Sequence, residues 1–298
     1  MNLTGGSYRY RLVDVFTETP LEGNPLVVFP QANGIDGSTM QRIAREFNLS
    51  ETAFVVPATR ADCAVQVRIF TPVEEMTFAG HPTVGTSFVL LEEGIVQRRS
   101  HFTLQEKVGP VGIRVEVGER PLVWFTTPEI ASGRPYERMV CARLIGLDPD
   151  DLLDVTPQLL SAGNPTVYVA VKDRAAVDRA WLDLNELASI NAESDVDACI
   201  FVFTPTSDGA YSRMFTKHHG IVEDPATGSS TGPLATYMMR HNLIAGTAGQ
   251  HFVSEQGVKM GRRSILRVHV RGAHGSEGID VGGHVTPIAE GVFHLSKP

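Results

Sequence analysis

Four short patterns occur twice along this chain, in the same order, and they limit its architecture more than any other feature. Gly23-Asn24-Pro25 leads into the apolar run Leu26 to Phe29, and Gly163-Asn164-Pro165 leads into Thr166 to Val171. Phe54-Val55-Val56-Pro57 is matched by Phe201-Val202-Phe203-Thr204-Pro205, and Arg68-Ile69-Phe70-Thr71 by Arg213-Met214-Phe215-Thr216. His81-Pro82-Thr83-Val84-Gly85-Thr86 is matched by Asp224-Pro225-Ala226-Thr227-Gly228-Ser229. Each match alone is a generic turn signal. Four in one order, at nearly constant separation, predict two homologous domains, 1–128 and 129–298, with the last strand free to return to the first. The joint falls near Thr126-Thr127-Pro128 or Ser132-Gly133-Arg134-Pro135, both rich in turn residues.

Within each half the pattern predicts strands interrupted by helices, an α+β fold. Arg9 to Phe16, Leu26 to Phe29, Ala53 to Val56 and Cys63 to Phe70 carry the β-branched and aromatic residues of strands, bounded by Gly and Pro. Ser38 to Phe47 reads as a helix capped by Ser38, with Met40, Ile43, Ala44 and Phe47 on one face. A second helix is expected from Pro82 through Leu91. The other half repeats the series: strands at Thr166–Val171, Cys199–Phe203 and Tyr211–Phe215, then a helix from Pro225 through Met238. Asp183 to Asn191 is the candidate copy of the first helix. Late strands are expected at Ile265–Val270, Gly278–Val281 and Gly291–Leu295. The helices after the Pro-x-x-Gly signals are small and apolar on most faces, which suits burial inside a curved, mostly antiparallel, barrel-like sheet. Two such domains facing each other would leave a cleft for a ligand.

Composition narrows the function. With 298 residues and 42% apolar content the chain can bury a large core without disulfides. A net charge of −8, with no basic run longer than Arg98-Arg99 or Arg262-Arg263, argues against nucleic acid as a partner. Cys63, Cys141 and Cys199 are odd in number and form no CxxC, so neither a disulfide framework nor a zinc site is expected. The N-terminus lacks the pattern of a signal peptide, and no apolar run is long enough to span a bilayer. A cytoplasmic protein is the expectation.

The paired helix starts are the first candidate site. His81 and Asp224 each precede a proline and take cap-like places, while Gly85 and Gly228 let a backbone or ligand come close. Free N–H groups and the dipole at such starts suit a carboxylate or phosphate. Plain capping is the alternative for Asp224; His is a poor cap, which favours a functional role for His81. Glu51, after Asn48-Leu49-Ser50, lands at the mouth of a strand; by spacing alone it reads as a solvated charge. No Gly-x-Ser-x-Gly, Gly-x-Gly-x-x-Gly, P-loop or His-Glu-x-x-His occurs. His218-His219 would point opposite ways on a strand, and no carboxylate/His cluster has metal-ligand spacing, so no metal is expected. Cys199, between Ala198 and Ile200, reads as a small core residue.

Taken together, Val13-Asp14-Val15-Phe16 with Gly23-Asn24-Pro25, Asn48-Leu49-Ser50-Glu51-Thr52, Phe78 to Gly85, and Glu223 to Ser229 make the chain resemble the PhzF-like family, within the diaminopimelate-epimerase fold. The resemblance implies two domains, each a barrel-like sheet around a central helix, with the site between them. It further implies a homodimer, a small anionic carboxylate-bearing substrate and chemistry without cofactor or metal. It implies an isomerase like the one acting on trans-2,3-dihydro-3-hydroxyanthranilate. There Glu51 would move a proton between ring carbons, assisted by His81, Asp224 and Ser229. Ser50, Gly80, Thr227 and Gly228 would hold substrate. In the epimerase branch two cysteines exchange the proton. Asp224 at the second helix start disfavours that chemistry here. Racemisation by Glu51 and Asp224, or a silent binder of an anionic metabolite, are the alternatives.

Overall fold

The computed structural model of the chain describes residues 6–97, 101–192, 198–216 and 222–295; Arg98, Arg99, His218 and His219 lie outside them. The chain groups into two compact units, Met1–Thr126 together with Gly282–Pro298, and Thr127–Val281. Ser132 to Pro135, read as turn from its composition, forms a strand instead, because its backbone pairs with a neighbouring strand at Ser132 and Pro135.

The first unit runs β1 (Gly6–Val15), β2 (Asn24–Phe29), α1 (Gly37–Phe47), β3 (Glu51–Val56), β4 (Val65–Phe70), α2 (Gly80–Glu92), β5 (His101–Glu106), β6 (Gly109–Glu116) and β7 (Leu122–Thr126). β1 pairs antiparallel with β2, β2 parallel with β3, β3 antiparallel with β4, β4 parallel with β5, and β5 antiparallel with β6. β6 and β7 close the series as another antiparallel pair.

α1 is capped by Asp36, whose carboxylate accepts from the Thr39 N–H at 3.0 Å. Ser38, the cap expected from sequence, instead donates to that carboxylate. The Ser38 and then the Thr39 hydroxyl hold the Asp36 carboxyl down at about 2. The helix stops at Asn48, which adopts φ 51°, a left-handed conformation Asn tolerates. β3 then begins at Glu51.

α2 is buried from Gly80 to Leu91 and touches β1, β2, β3, β4 and β7. Such a helix cannot gain from an amphipathic face; its stability comes from packing on every side. Burying Val84, Phe88, Val89, Leu90 and Leu91 contributes roughly 1.5–3 kcal/mol per side chain. Gly85 lets the helix sit against the sheet: a Cβ there would come within 2.6 Å of Leu26 Cδ2 and 2.7 Å of Val15 Cγ2. Its role is close packing of strand side chains, not the ligand approach its position suggested. At the far end Gly94, with φ 66°, turns the chain, and Ile95 N–H bonds to Leu90 O at 3.0 Å.

The second unit runs β8 (Ala131–Pro135), α3 (Arg138–Leu144), β9 (Gln158–Ser161), β10 (Thr166–Ala170), α4 (Arg174–Arg179), α5 (Leu184–Ala192), β11 (Cys199–Thr206), β12 (Gly209–Phe215), β13 (Glu223–Asp224), α6 (Gly228–Arg240), β14 (His251–Gln256), β15 (Ser264–Arg271) and β16 (Gly278–Gly283). β9 pairs antiparallel with β10, β10 parallel with β11, β11 antiparallel with β12, β12 parallel with β14, and β14 antiparallel with β15. α6 is buried along nearly its whole length, and Tyr168 beneath it donates to Ser230 O at 2.7 Å. Side chains of α3 and α4 share a second apolar cluster with Val167, Ile200 and Tyr211 of the sheet.

A final strand, β17 (Val285–Leu295), pairs antiparallel with β1 from Gly6↔Leu295 to Val15↔Val285. The residues from Gly282 onward therefore group with the first unit, which draws in the end of the second domain expected at 129–298. The whole is a mixed fold, dominated by strands, with few helices. Among the described residues no helix is long and apolar enough to cross a membrane.

Candidate functional site

In the first unit three polar residues meet where β2, β3 and α2 begin. Asn24 and Glu51 stand at the starts of the parallel neighbours β2 and β3, with Leu26 in register with Glu51. His81 is the second residue of α2. Sequence spacing placed the helix start at Pro82 and His81 in the cap position. The backbone turns helical at Gly80 instead, after an extended Ala79 that makes no side-chain cap bond. His81 is therefore inside the first turn, where its ring is carried by a rigid element.

His81 Nε2 lies 3.4 Å from Glu51 Oε2, and Nδ1 lies 3.1 Å from Asn24 Nδ2. The His81 side chain is 4% exposed and that of Glu51 12%. Burial pushes the imidazole down to about 3, so the ring is neutral at pH 7. An amide N–H has one use against a neutral imidazole, to donate to its unprotonated nitrogen. With Asn24 donating to Nδ1, the ring proton sits on Nε2 and faces Glu51. The arrangement sets the Glu51 carboxyl group 3.4 Å from a neutral imidazole N–H in a nearly dry site. Ser50 is buried beside Glu51, and Gly80 precedes His81 in the helix.

The second unit brings together Asp224, Thr227 and Gln256. Asp224 ends the two-residue strand β13, paired with Met214, and is not a helix cap. The cap position of α6 belongs to Thr227, and the helix begins at Gly228, three residues beyond the expected Pro225. The physical reason is the same as at His81: a proline fits the first turn but does not fix it, and here Asp224 is held by sheet pairing. The Thr227 hydroxyl donates to Asp224 Oδ2 rather than capping the helix. Gln256 Nε2 donates to Asp224 O at 2.7 Å and Thr227 Oγ1 at 3.1 Å, and its Oε1 accepts from Thr227 N–H at 3.2 Å. Ser229, buried, is the second residue of α6.

Ser229, like His81, is the second residue of its buried helix, whereas Asp224 lies before the helix starts. The two helix starts share a further feature. In the first unit Arg68 makes two bonds to Glu75, at 2.7 and 2.9 Å, and lies over Phe70. In the second Arg213 makes two to Glu223, both 2.8 Å, and lies over Phe215. Each Glu stands five residues before the glycine that opens the buried helix.

Sequence reasoning missed Asn24 as the partner of His81; it read Gly23-Asn24-Pro25 as a repeated turn signal and a family motif. It also missed Gln256, and Glu106 at the end of β5. The signal was there: His101-Phe102 and His251-Phe252 open β5 and β14, and these residues close them. Cys199 is buried in the core as expected, and burial pushes the Cys141 thiol up to about 12, an inert form. Among the described residues no group of three His, Cys, Asp or Glu side chains is placed to hold a metal.

The model of the phenazine biosynthesis-like family matches residues 13–291. A trans-2,3-dihydro-3-hydroxyanthranilate isomerase from Pseudomonas chlororaphis is 34% identical over 270 residues, covering 89% of this chain and 91% of the relative. A solved phenazine biosynthesis protein of the PhzF family from Bacillus anthracis superposes with TM-score 0.84 at 28% identity, covering 98% of this chain and 99% of that one. At the level of fold alone, a hydroxyproline epimerase from Agrobacterium vitis superposes with TM-score 0.68 at 13% identity, covering 100% of this chain and 95% of that one. The chain belongs to the phenazine biosynthesis-like family, and it is an isomerase.

Proposed function

We propose that this isomerase moves a proton between two carbons of a small carboxylate-bearing ring, with trans-2,3-dihydro-3-hydroxyanthranilate, named for its relative, as the substrate. The observation that carries the reading is the pair Glu51 and His81, 3.4 Å apart in a nearly dry site. Glu51 as carboxylate takes a proton from one carbon; the resulting acid returns it to another. No atom is gained or lost, so the step needs no cofactor. Acid–base help of this kind contributes roughly 10²–10⁴-fold. Neutral His81 orients the Glu51 carboxylate and polarises the substrate's polar group without competing for the proton.

Asp224 and Ser229 are proposed to assist, and the N–H groups at Gly228 to bind the substrate carboxylate. The support is chemical: the cap hydroxyl of this helix start is turned onto Asp224 and not onto the N–H groups of Gly228 and Ser229, and N–H groups at a helix start suit an anion. Ser50, Gly80 and Thr227 complete the binding set. We further propose that the two units are copies of one ancestral barrel-like domain, that the protein is a cytoplasmic homodimer, and that no metal takes part. The shared order of strand pairings and the two Arg–Glu clamps support the duplication.

The test is proton NMR in D₂O with the dihydro-hydroxyanthranilate, wild type beside Glu51→Gln. Conversion with deuterium incorporation in the wild type alone is the expected result. Equal turnover by the variant would remove Glu51 from the mechanism. Exchange at a stereocentre without bond migration would replace isomerisation by racemisation.

A further inference from the structure

Glu106 is the last residue of β5 and is 3% exposed. Its Oε1 lies 2.6 Å from Thr83 Oγ1, in the first turn of α2. Thr83 Oγ1 also lies 2.8 Å from Ala79 O, one turn back. A hydroxyl has one hydrogen. If Thr83 gives it to the Ala79 carbonyl, then Oγ1 must accept from Glu106, and Glu106 must be the uncharged acid.

The surroundings agree. No ion pair reaches Glu106 among the described residues, and its Oε2 has no hydrogen-bond partner. The elements around it bring few charges. Arg68 on β4 is engaged with Glu75, Arg114 on β6 with Glu116, and β7 has none. On α2 the titratable groups are His81, held neutral, and Glu92 at the far end; β3 brings Glu51; Lys107, next in the chain, is exposed. Burial pushes the Glu106 carboxyl up to about 8.

The residue is also part of a clamp. Two positions on, Val108 N–H donates to Thr77 O at 2.9 Å. The tip of the β5–β6 hairpin thus grips the chain on both sides of the α2 start, at Thr77 and at Thr83, with Gly80 and His81 between. In the second unit the residue that closes β14 is Gln256, an amide that ties Asp224 and Thr227 at the start of α6. A neutral carboxylic acid and an amide have the same shape and both donate and accept.

We propose that Glu106, as the uncharged acid, is a positioning residue of the isomerase: through Thr83 it holds the first turn of α2 and so sets where His81 meets Glu51. The inference rests on the reading of Glu51 and His81 as the working pair. Ionisation of Glu106 reverses the Thr83 hydroxyl onto the carboxylate, strips the Ala79 carbonyl of that bond and loosens the turn.

The experiment uses wild type, Glu106→Gln and Glu106→Ala, with two readouts. The first is the His81 ring 15N shifts in histidine-labelled protein from pH 6.5 to 9.5. His81 does not itself titrate there. In wild type its shifts move with a midpoint near 8, and in Glu106→Gln they stay flat. The second is the rate of isomerisation across the same range. Wild type loses at least tenfold in kcat on the alkaline side, Glu106→Gln keeps its rate, and Glu106→Ala loses at least tenfold at pH 7 with little change in KM. A wild-type His81 signal that is flat, or that moves equally in Glu106→Gln, overturns the proposal. So does full kcat in a folded Glu106→Ala. If the dihydro-hydroxyanthranilate is not turned over at all, the substrate reading fails while the ring shifts still decide the role of Glu106.

Discussion

Asn24 donates to Nδ1 of His81 at 3.1 Å, and this bond decides which nitrogen of the ring faces Glu51. Asn24 is fully buried, so its amide cannot be replaced by water without opening the start of β2. Asn24→Ala leaves a buried imidazole nitrogen unsatisfied, a cost of about 1–3 kcal/mol. The ring can then adopt the other tautomer, and kcat is expected to fall by one to two orders of magnitude. Thermal unfolding beside steady-state rates checks both; unchanged kcat would show that the tautomer does not matter.

His81 makes stability depend on pH in the acid range. Its folded value, about 3, lies below the ordinary 6.5 because burial penalises the cation. Between those values the unfolded chain binds a proton that the folded one refuses. Stability therefore falls as pH drops from 6.5 toward 3. In urea titrations at pH 7 and pH 4.5 the wild type should lose more stability than His81→Gln, by about 1–3 kcal/mol. Equal losses would mean that the ring is protonated in the fold.

Glu106 acts at the other end of the scale and with the opposite sign. Its folded value of about 8 lies above the ordinary 4.5, again through burial. The folded state holds a proton that the unfolded chain has released, so stability declines as pH rises from 4.5 through 8. Glu106→Gln should remove this slope and gain about 2–4 kcal/mol over wild type at pH 9. A slope that survives in the variant belongs to another group.

Gly85 brings α2 close against its sheet. Gly85→Ala presses a methyl against Leu26 and Val15 and should cost about 1–3 kcal/mol despite the better helix propensity of Ala. Chemical denaturation gives the sign directly. A stabilised variant would mean that β1 and β2 yield freely to the helix.

Strand and helix placement was largely legible, because alternation, turn residues and the apolar buried helices are local signals. The ends of elements were less so. Pro82 and Pro225 looked like first helical residues, yet α2 begins before one and α6 after the other. Proline is tolerated in the first turn without defining it. That shift leaves His81 and Ser229 at the same place in their helices, with Asp224 outside. Glu51 reads as a solvated charge from spacing, and only the register of β2 with β3 brings it to Asn24 and His81. Glu106 and Gln256 act through side-chain geometry at strand ends, where periodicity carries no information.

The pairing of β17 with β1 has a consequence for the order in which the protein forms. The second unit is one unbroken stretch of chain, Thr127–Val281. The first unit, though begun earlier, lacks the strand that covers β1 along its full length until Val285–Leu295 emerges. Unless β1 finds that edge, its backbone groups stay open to other chains. The unit that carries Glu51 and His81 is therefore completed after the other, and a chain cut short before Val285 would carry a first unit that lacks β17.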